Sequence, residues 1–348
     1  MSNAIRNRKI SQGELTELLE KEISELLGIK HVAMVTSGSM ALTLAMMVFE
    51  IGLGDEVIIP DRTWIATAHA VINAGATPIV VDTEKDRPVM SIESMEKAIS
   101  RKTKAIIPVH MNGRGVDMEQ LNRIAKANNI KVVEDAAQAF MSRHKGKYLG
   151  TYGDVGCFSL SMAKLISTGQ GGFLVTNSDD LNTKIRRMRT HGVSSTFEPE
   201  RWNMRGGNFR YTDLQAAIGL EQIARINEKK EKCIELYLTY IQELNQLESQ
   251  ITPIKVEHSK GEIPIYNEFS CDSRENLINY LKKHGIETRP FYPAISTATY
   301  IHGEKNTREE RINSGKFSKT GIYMPSGPDM SLKNAIYVTK TIKKYYQQ

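Results

Sequence analysis

Lys164 closes the run Cys157-Phe158-Ser159-Leu160-Ser161-Met162-Ala163-Lys164, and glycines follow at 169, 171 and 172. A primary amine beside an apolar, strand-like run is a candidate nucleophile. Burial favours the neutral amine over the ammonium, and a neutral amine condenses with an aldehyde to a Schiff base. The chain carries 46 Lys plus Arg, however, and most such residues are solvated surface groups, so the assignment rests on the companions of Lys164.

Four companions matter. In Thr36-Ser37-Gly38-Ser39-Met40-Ala41, between a strand-like and a helix-like run, Gly38 lets the backbone approach an anion, and the amides of Ser39 and Met40 would face a phosphate at the positive end of a helix. In Glu134-Asp135-Ala136-Ala137-Gln138, at the carboxyl end of an apolar run, Asp135 could hold a pyridine nitrogen protonated, and Gln138 on the incoming helix turn could reach a ring hydroxyl. Trp64, just past another strand end, could stack on a flat ring, and Ser159 offers a hydroxyl to phosphate. Each alone has a plainer reading as a helix cap or a core side chain. Together, with the amine of Lys164 for an aldehyde, they describe a site for pyridoxal 5′-phosphate (PLP).

These groups need a scaffold that brings strand ends together. Apolar, β-branched runs predict strands over His31 to Thr36, Glu56 to Pro60, Pro78 to Asp82, Lys104 to Val109 and Lys131 to Glu134. Helical patterns lie between them, at Met40 to Phe49, Thr67 to Ala74, Ile92 to Ile99 and Met118 to Asn128. Continuous rather than alternating apolar strands imply a mostly parallel sheet covered on both faces, an α/β architecture. Gly153 to Leu160 and Gly172 to Asn177 predict further strands, as a hairpin in the same sheet, and Asp180 to Thr190 a helix. At the N-terminal side, Ser11-Gln12-Gly13-Glu14 has the capping-box pattern and opens a helix with Leu15, Leu18, Leu19, Ile23, Leu26 and Leu27 on one face, stopped by Gly28.

Glu198 to Phe209 is polar and Gly-containing, a candidate functional loop, and a single long helical pattern runs from Thr212 to Leu247. Beyond it, Ile263 to Cys271, a helix from Arg274 to His284, Ile286 to Tyr292 and a helix from Leu332 to Tyr346 suggest a smaller α+β unit. The expected division is a large α/β domain over 1–240 and a small C-terminal α+β domain over 241–348.

A formal net charge of +6 is spread along the chain, with no run of five or six like charges, so a nucleic-acid site is not expected, although an anionic small substrate suits a mild positive excess. Cys157, Cys233 and Cys271 show no CxxC spacing and no clustered histidines, so neither a metal site nor a disulfide framework is expected. No apolar run approaches a membrane span and Met1 to Arg8 lacks a signal-like region, which predicts a soluble, cytoplasmic protein. Gly113-Arg114-Gly115 begins like a dinucleotide fingerprint but lacks the third glycine, and phosphate-loop, HExxH and GxSxG motifs are absent from the sequence.

The motifs Gly38-Ser39, Asp55 to Pro60, Thr63-Trp64, Glu134 to Gln138, Phe158-Ser159 to Lys164, Gly169 to Gly172 and Gly207-Asn208-Phe209-Arg210 to Ala217 stand in an order that resembles the DegT/DnrJ-type nucleotide-sugar aminotransferases, from about residue 8 to 346. The resemblance implies a fold type I PLP-dependent transferase, a homodimer with shared active sites, and a place in polysaccharide (O-antigen) biosynthesis. It makes Lys164 the Schiff-base lysine, Asp135 the pyridinium partner, Gln138 the ring-hydroxyl contact and Trp64 the stacking ring. Gly38, Ser39 and Ser159 become phosphate ligands, and Asn208 the residue that reaches the phosphate of the opposite subunit. L-Glutamate is the implied amino donor and a nucleotide-linked keto sugar the acceptor.

Gly285 to Pro293 resembles the C-terminal pattern of perosamine-synthase-like members acting at C4, and Arg205, Arg210 and Arg289 are candidates for a diphosphate or carboxylate. Relatives with Glu at Gln170 and Asn at Ala163 mark departures that bear on substrate detail, and relatives with histidine at Lys164 are dehydratases. Amination at C3 or of a cyclitol ketone, and a PLP-bound regulatory protein without turnover, stand as alternatives.

Overall fold

The computed structural model describes residues 5–6, 10–194, 202–301 and 311–348. Helix α1 (Glu14–Leu27) leads into β1 (His31–Val35), α2 (Gly38–Val48), β2 (Glu56–Pro60), α3 (Ala66–Asn73), β3 (Thr77–Val81), α4 (Ile92–Lys97), β4 (Thr103–Ile106), α5 (Met118–Ala127) and β5 (Lys131–Asp135). A small hairpin, β6 (Arg143–His144) and β7 (Lys147–Tyr148), precedes β8 (Val155–Ser159), β9 (Gly172–Thr176), α6 (Asp179–Arg189) and α7 (Asp213–Ala224). The main sheet has the order β1-β9-β8-β5-β4-β2-β3, with β9 alone running against its neighbours.

Both faces of this sheet are covered. Val57 and Ile59 of β2 share one core with Val35, Val133 and Leu174 under helices α2, α3 and α6. Ile58, Ile79, Val81, Ile106 and Val132 point the other way, toward α4 and α5, while Val32, Met34, Phe158 and Phe173 meet α1 and α7. Each strand therefore buries successive side chains on opposite faces, which is why its sequence reads as continuously apolar.

Helix α8 (Ile226–Leu244) carries the chain into a four-stranded antiparallel sheet of order β10-β11-β13-β12, built from Thr252–Pro253, Asn267–Ser270, Gly321–Met324 and Arg289–Pro290. Helices α9 (Arg274–Lys283), α10 (Ile312–Thr320) and α11 (Leu332–Tyr346) complete this unit. Along α8, Ile226 and Cys233 join the core of the main sheet, whereas Leu236, Tyr240 and Leu244 join Phe269, Leu281, Ile322 and Val338. Among the described residues no helix is long and apolar enough to cross a membrane.

Three local expectations are corrected. The single helix over Thr212 to Leu247 is two helices, because Arg225 leaves helical geometry (φ −106°, ψ 11°); the bend lets α7 pack on α1 while α8 packs on α11. The capping box does not form: α1 starts at Glu14 after Gly13, and the cap is the distant carboxylate of Asp213, which accepts from the amides of Gly13 and Thr16 at 2.8 and 3.0 Å. Leu18, expected on the buried face of α1, is exposed, whereas Leu19, Ile23 and Leu27 are buried. Of the loop expected at Glu198 to Phe209, residues 198–201 lie outside the described residues, and 202–209 are irregular apart from a single bridge at Asn208.

The segment after β4 fastens the two units. Arg114, fully buried, is paired with Glu268 of β11, and its remaining donors reach the carbonyls of Ile254 (2.6 Å) and Lys255 (2.9 Å). The Gly113-Arg114-Gly115 motif, discounted as a nucleotide fingerprint, thus serves as a structural rivet. Replacing Arg114 by Leu leaves a buried carboxylate without its cation and is expected to cost about 3–5 kcal/mol. A denaturation midpoint equal to wild type would refute that role, and Arg114→Met with Glu268→Leu should return most of the loss.

Candidate active site

In a mostly parallel sheet the strand ends of one sense share an edge, and ligands bind outside the carboxyl ends. The ends of β1, β2, β5 and β8 bring Gly38, Ser39, Trp64, Asp135, Gln138, Ser159 and Lys164 around one cavity of about 340 Å³. A larger cleft of about 800 Å³, walled mainly by the C-terminal unit, adjoins it through Ala163, Lys164, Tyr266, Arg289 and Tyr323.

Asp135 ends β5, where its backbone is already bonded to Pro108 and His110 of the neighbouring segment. One carboxylate oxygen accepts from the hydroxyl of Thr67 at 2.8 Å and the other from the amide of Ala137 at 3.1 Å. Thr67 is itself within 2.8 Å of the Thr63 hydroxyl, so its orientation is fixed from both sides. Burial pushes the Asp135 carboxyl above the usual carboxylate range, while Thr67, Ala137, Lys164 and His110 pull it back. The adjacent Glu134 plays no part in the cavity. It is buried against His110 at 2.8 Å and accepts from the amides of Gly150, Tyr152 and Gly153.

Lys164 sits in the loop between β8 and β9, its amide bonded to the carbonyl of Ser161 at 3.1 Å. Burial lowers the pKa of its ammonium and the charge of Asp135 opposes that shift. The amine is therefore more easily deprotonated than a surface lysine. Gln138 lies on a tight turn rather than the expected helix, since Ala139 bonds back to Ala136 and no helix follows β5. Its side-chain oxygen accepts from the amide of Asn112 at 2.9 Å, which leaves the NH₂ end free to donate.

Also lining the cavity, α2 begins hard against Ser159. A Cβ on Gly38 would stand 2.8 Å from the Ser159 Cβ, so only glycine permits this approach. Ser37, absent from the sequence-derived list, caps α2 by accepting from the amide of Met40 at 3.2 Å. The helix-end amides left for an anion are therefore those of Gly38 and Ser39, not Met40. Trp64 is half exposed and meets Tyr292 edge-on, with ring centroids 4.6 Å apart.

A buried carboxylate, an amine, helix-end amides, a serine and an indole around one cavity fit a phosphorylated pyridine aldehyde. Of the candidate arginines, Arg289 lines this cavity, while Arg205 and Arg210 do not. Asn208 is exposed away from it and accepts from Arg210 at 2.9 Å. Sequence reasoning missed Thr67, Asn112 and Tyr266. The contacts of all three are with residues distant in sequence, apart from the 2.8 Å approach of the Thr67 hydroxyl to that of Thr63 just before α3.

Fold and cavity together define a PLP-dependent enzyme of the α/β class. The chain belongs to the DegT/DnrJ/EryC1/StrS aminotransferase family, which matches residues 1–343. A GDP-perosamine synthase of Escherichia coli O157:H7 is 35% identical over 341 residues, 97% of this chain and 91% of its own length. A UDP-N-acetyl-3-dehydro-alpha-D-glucosamine 3-aminotransferase of Acidithiobacillus ferrooxidans is 35% identical over 287 residues, 81% of this chain and 75% of its own. The X-ray structure of DesV from S. venezuelae superposes with a TM-score of 0.93 at 28% identity, covering 100% of this chain and 93% of that one.

The raised Asp135 pKa has a signed consequence for the cofactor-free protein. A carboxyl whose folded pKa exceeds its unfolded value binds more protons when folded, so its contribution to stability falls as pH rises between the two. Asp135→Asn removes that penalty. Its unfolding midpoint should exceed that of wild type at pH 7 to 8, and the gap should narrow toward about pH 4, near the unfolded carboxyl pKa. A gap independent of pH would exclude desolvation of Asp135 as the cause.

Proposed function

We propose that the protein transfers an amino group from L-glutamate to a nucleoside-diphosphate-linked 4-keto-6-deoxy sugar, giving 2-oxoglutarate and the amino sugar. The observation that carries this reading is the placement of Lys164, partly desolvated and shared by the small cavity and the large cleft. When bound, PLP supplies an aldehyde for the incoming amine and a cationic ring that stabilises the carbanion left by proton loss from Cα. Every other task falls to side chains.

Asp135, held by Thr67 and Ala137, keeps the ring nitrogen protonated by a charge it retains only at the expense of burial. Lys164, as a neutral amine, would act as the base that takes the Cα proton of the donor and as the acid that gives a proton back, with the same two roles in reverse order for the acceptor. Gln138 donates its NH₂ to the ring hydroxyl, Trp64 covers the ring, and Ser159 with the amides of Gly38 and Ser39 holds the phosphate.

Arg289, bonded to the Tyr292 hydroxyl at 3.1 Å where cavity and cleft meet, suits either the donor carboxylate or the diphosphate. Arg205, which is exposed, and Arg210, half-buried and bonded to Asn208, would serve a neighbouring subunit in a cytoplasmic homodimer, with Asn208 reaching the phosphate across it. In this reading residues 1–240 form the cofactor domain and 241–348 the unit that walls the cleft.

Amination at C3 is the nearest alternative. The two relatives above, whose names specify GDP-perosamine and a 3-amino sugar, are equally identical to this chain, so identity does not separate the two keto positions.

Borohydride should fix the cofactor to Lys164 in the wild type and not in Lys164→Ala, whose turnover should fall by at least about 10²- to 10⁴-fold. Wild-type turnover by that variant would end the proposal. Glutamate alone should bleach the visible cofactor band of the wild type, and an unchanged spectrum would instead favour a PLP-bound protein without turnover.

A further inference from the structure

Lys164 is attached to a peptide that packing does not hold. Leu165 and Ile166 after it are buried, but Met162 is 80% exposed and Ala163 is also exposed. The carbonyl of Ala163, bonded directly to the Lys164 nitrogen, accepts from the hydroxyl of Tyr266 at 2.9 Å. Tyr266 belongs to the C-terminal unit, immediately before β11, and lies 103 residues away in sequence.

Tyr266 is itself clamped. The Asn112 side chain donates to the Tyr266 carbonyl at 2.9 Å and accepts from the Tyr266 amide at 2.8 Å, so both backbone groups are taken by one amide. Asn112 is fully buried and sits in the left-handed region at φ 52°, a conformation asparagine tolerates better than most residues. Its own amide donates to the side chain of Gln138. On the outer side the Tyr266 ring meets Tyr323 edge-on at 5.5 Å, and Tyr323 in turn accepts from buried Arg62 at 2.9 Å. Burial raises the phenol pKa of Tyr266, which keeps it a hydrogen donor across the working pH range.

We infer that Tyr266 is a positioning residue that aims Lys164 by tethering the Ala163 carbonyl, with Asn112 tying the tether to Gln138. The inference rests on the reading of Lys164 as the reacting amine. Its physical basis is that the root of a long, flexible side chain must be fixed before its amine can meet both carbon atoms between which the proton moves, and misplacement by about 1 Å costs about 10²-fold in rate. Because Tyr266 also lines the large cleft, the tether and the acceptor share one wall.

Tyr266→Phe keeps the ring and removes only the hydroxyl. Asn112→Gly keeps the backbone amide to Gln138, accepts the positive φ, and removes both side-chain bonds to Tyr266. Both variants should show faster hydrogen exchange over residues 161–166, with and without cofactor, by roughly fivefold for one lost hydrogen bond. Both should lower kcat by about tenfold, with KM for glutamate within about twofold. Both should also move the pH midpoint of the visible band of the Lys164-bound cofactor, which a purely structural role would leave in place.

Wild-type exchange, kcat and band midpoint in Tyr266→Phe would overturn the inference. Should that variant not fold, the same three wild-type values in Asn112→Gly would do so. Lys164→Ala run alongside separates the two layers: if it retains a borohydride-fixed cofactor, the underlying assignment of Lys164 fails, and if it loses it, only the tether is in question.

Discussion

The site depends on keeping two opposite charges near each other and out of water without letting them pair. Burial raises the pKa of Asp135 and lowers that of Lys164, and each charge partly offsets the shift of the other. Among the described residues they form no salt bridge. A direct pair would hold the lysine as an ammonium and occupy the carboxylate, which would disable both. Instead the neutral donors of Thr67 and Ala137 stabilise Asp135 without neutralising it, and the amine remains free to lose its proton. This arrangement costs stability through desolvation of both groups, and the surrounding framework must be rigid enough to impose it.

That rigidity comes from the segment between β4 and α5. His110 is buried against Glu134, Asn112 binds Gln138 and Tyr266, and Arg114 is paired with Glu268 of the C-terminal sheet. Five consecutive positions thus connect the cavity, the loop that carries Lys164 and the second unit. All three of these side chains are fully buried, and each makes hydrogen bonds that a substitution would leave unsatisfied. The cleft therefore has walls fixed relative to Lys164 rather than two lobes joined only by a linker.

The sheet was legible because a strand buried on both faces has a continuous apolar run, and Glu56–Pro60 matches its run residue for residue. The strand-end residues around the cavity were legible for a related reason: a carboxylate or hydroxyl directly after such a run must lie at the sheet edge. What escaped was non-local. Thr67 reaches Asp135 across 68 residues, and Asn112 reaches Tyr266 across 154, so no spacing along the chain announces either contact. The cap of α1 failed to be read for the same cause, since Asp213 supplies from a distance what Ser11 was expected to supply locally. The break at Arg225 was hidden because the apolar pattern continues through it while the packing partner changes from α1 to α11.

The location of substrate choice follows from how the groups are divided. In the proposed reaction the side chains around the cofactor would act on a proton, a ring nitrogen and a phosphate, none of which differs between a 3-keto and a 4-keto sugar. Discrimination must therefore arise where the sugar ring is held, through contacts that succeed for one keto position and leave polar groups unpaired for the other. In the proposed reading that region would be the wall formed by Arg289, Tyr292 and Tyr323, where the Arg289 guanidinium lies against an aromatic cluster at the junction of cavity and cleft. All three belong to the C-terminal unit, whereas Asp135 and Ser159 end strands of the main sheet and Lys164 lies in the loop between two of its strands. On that reading chemistry and selectivity would sit on separate layers of one fold, and the acceptor would change by substitutions in the C-terminal unit while the amine-transfer groups stay in place.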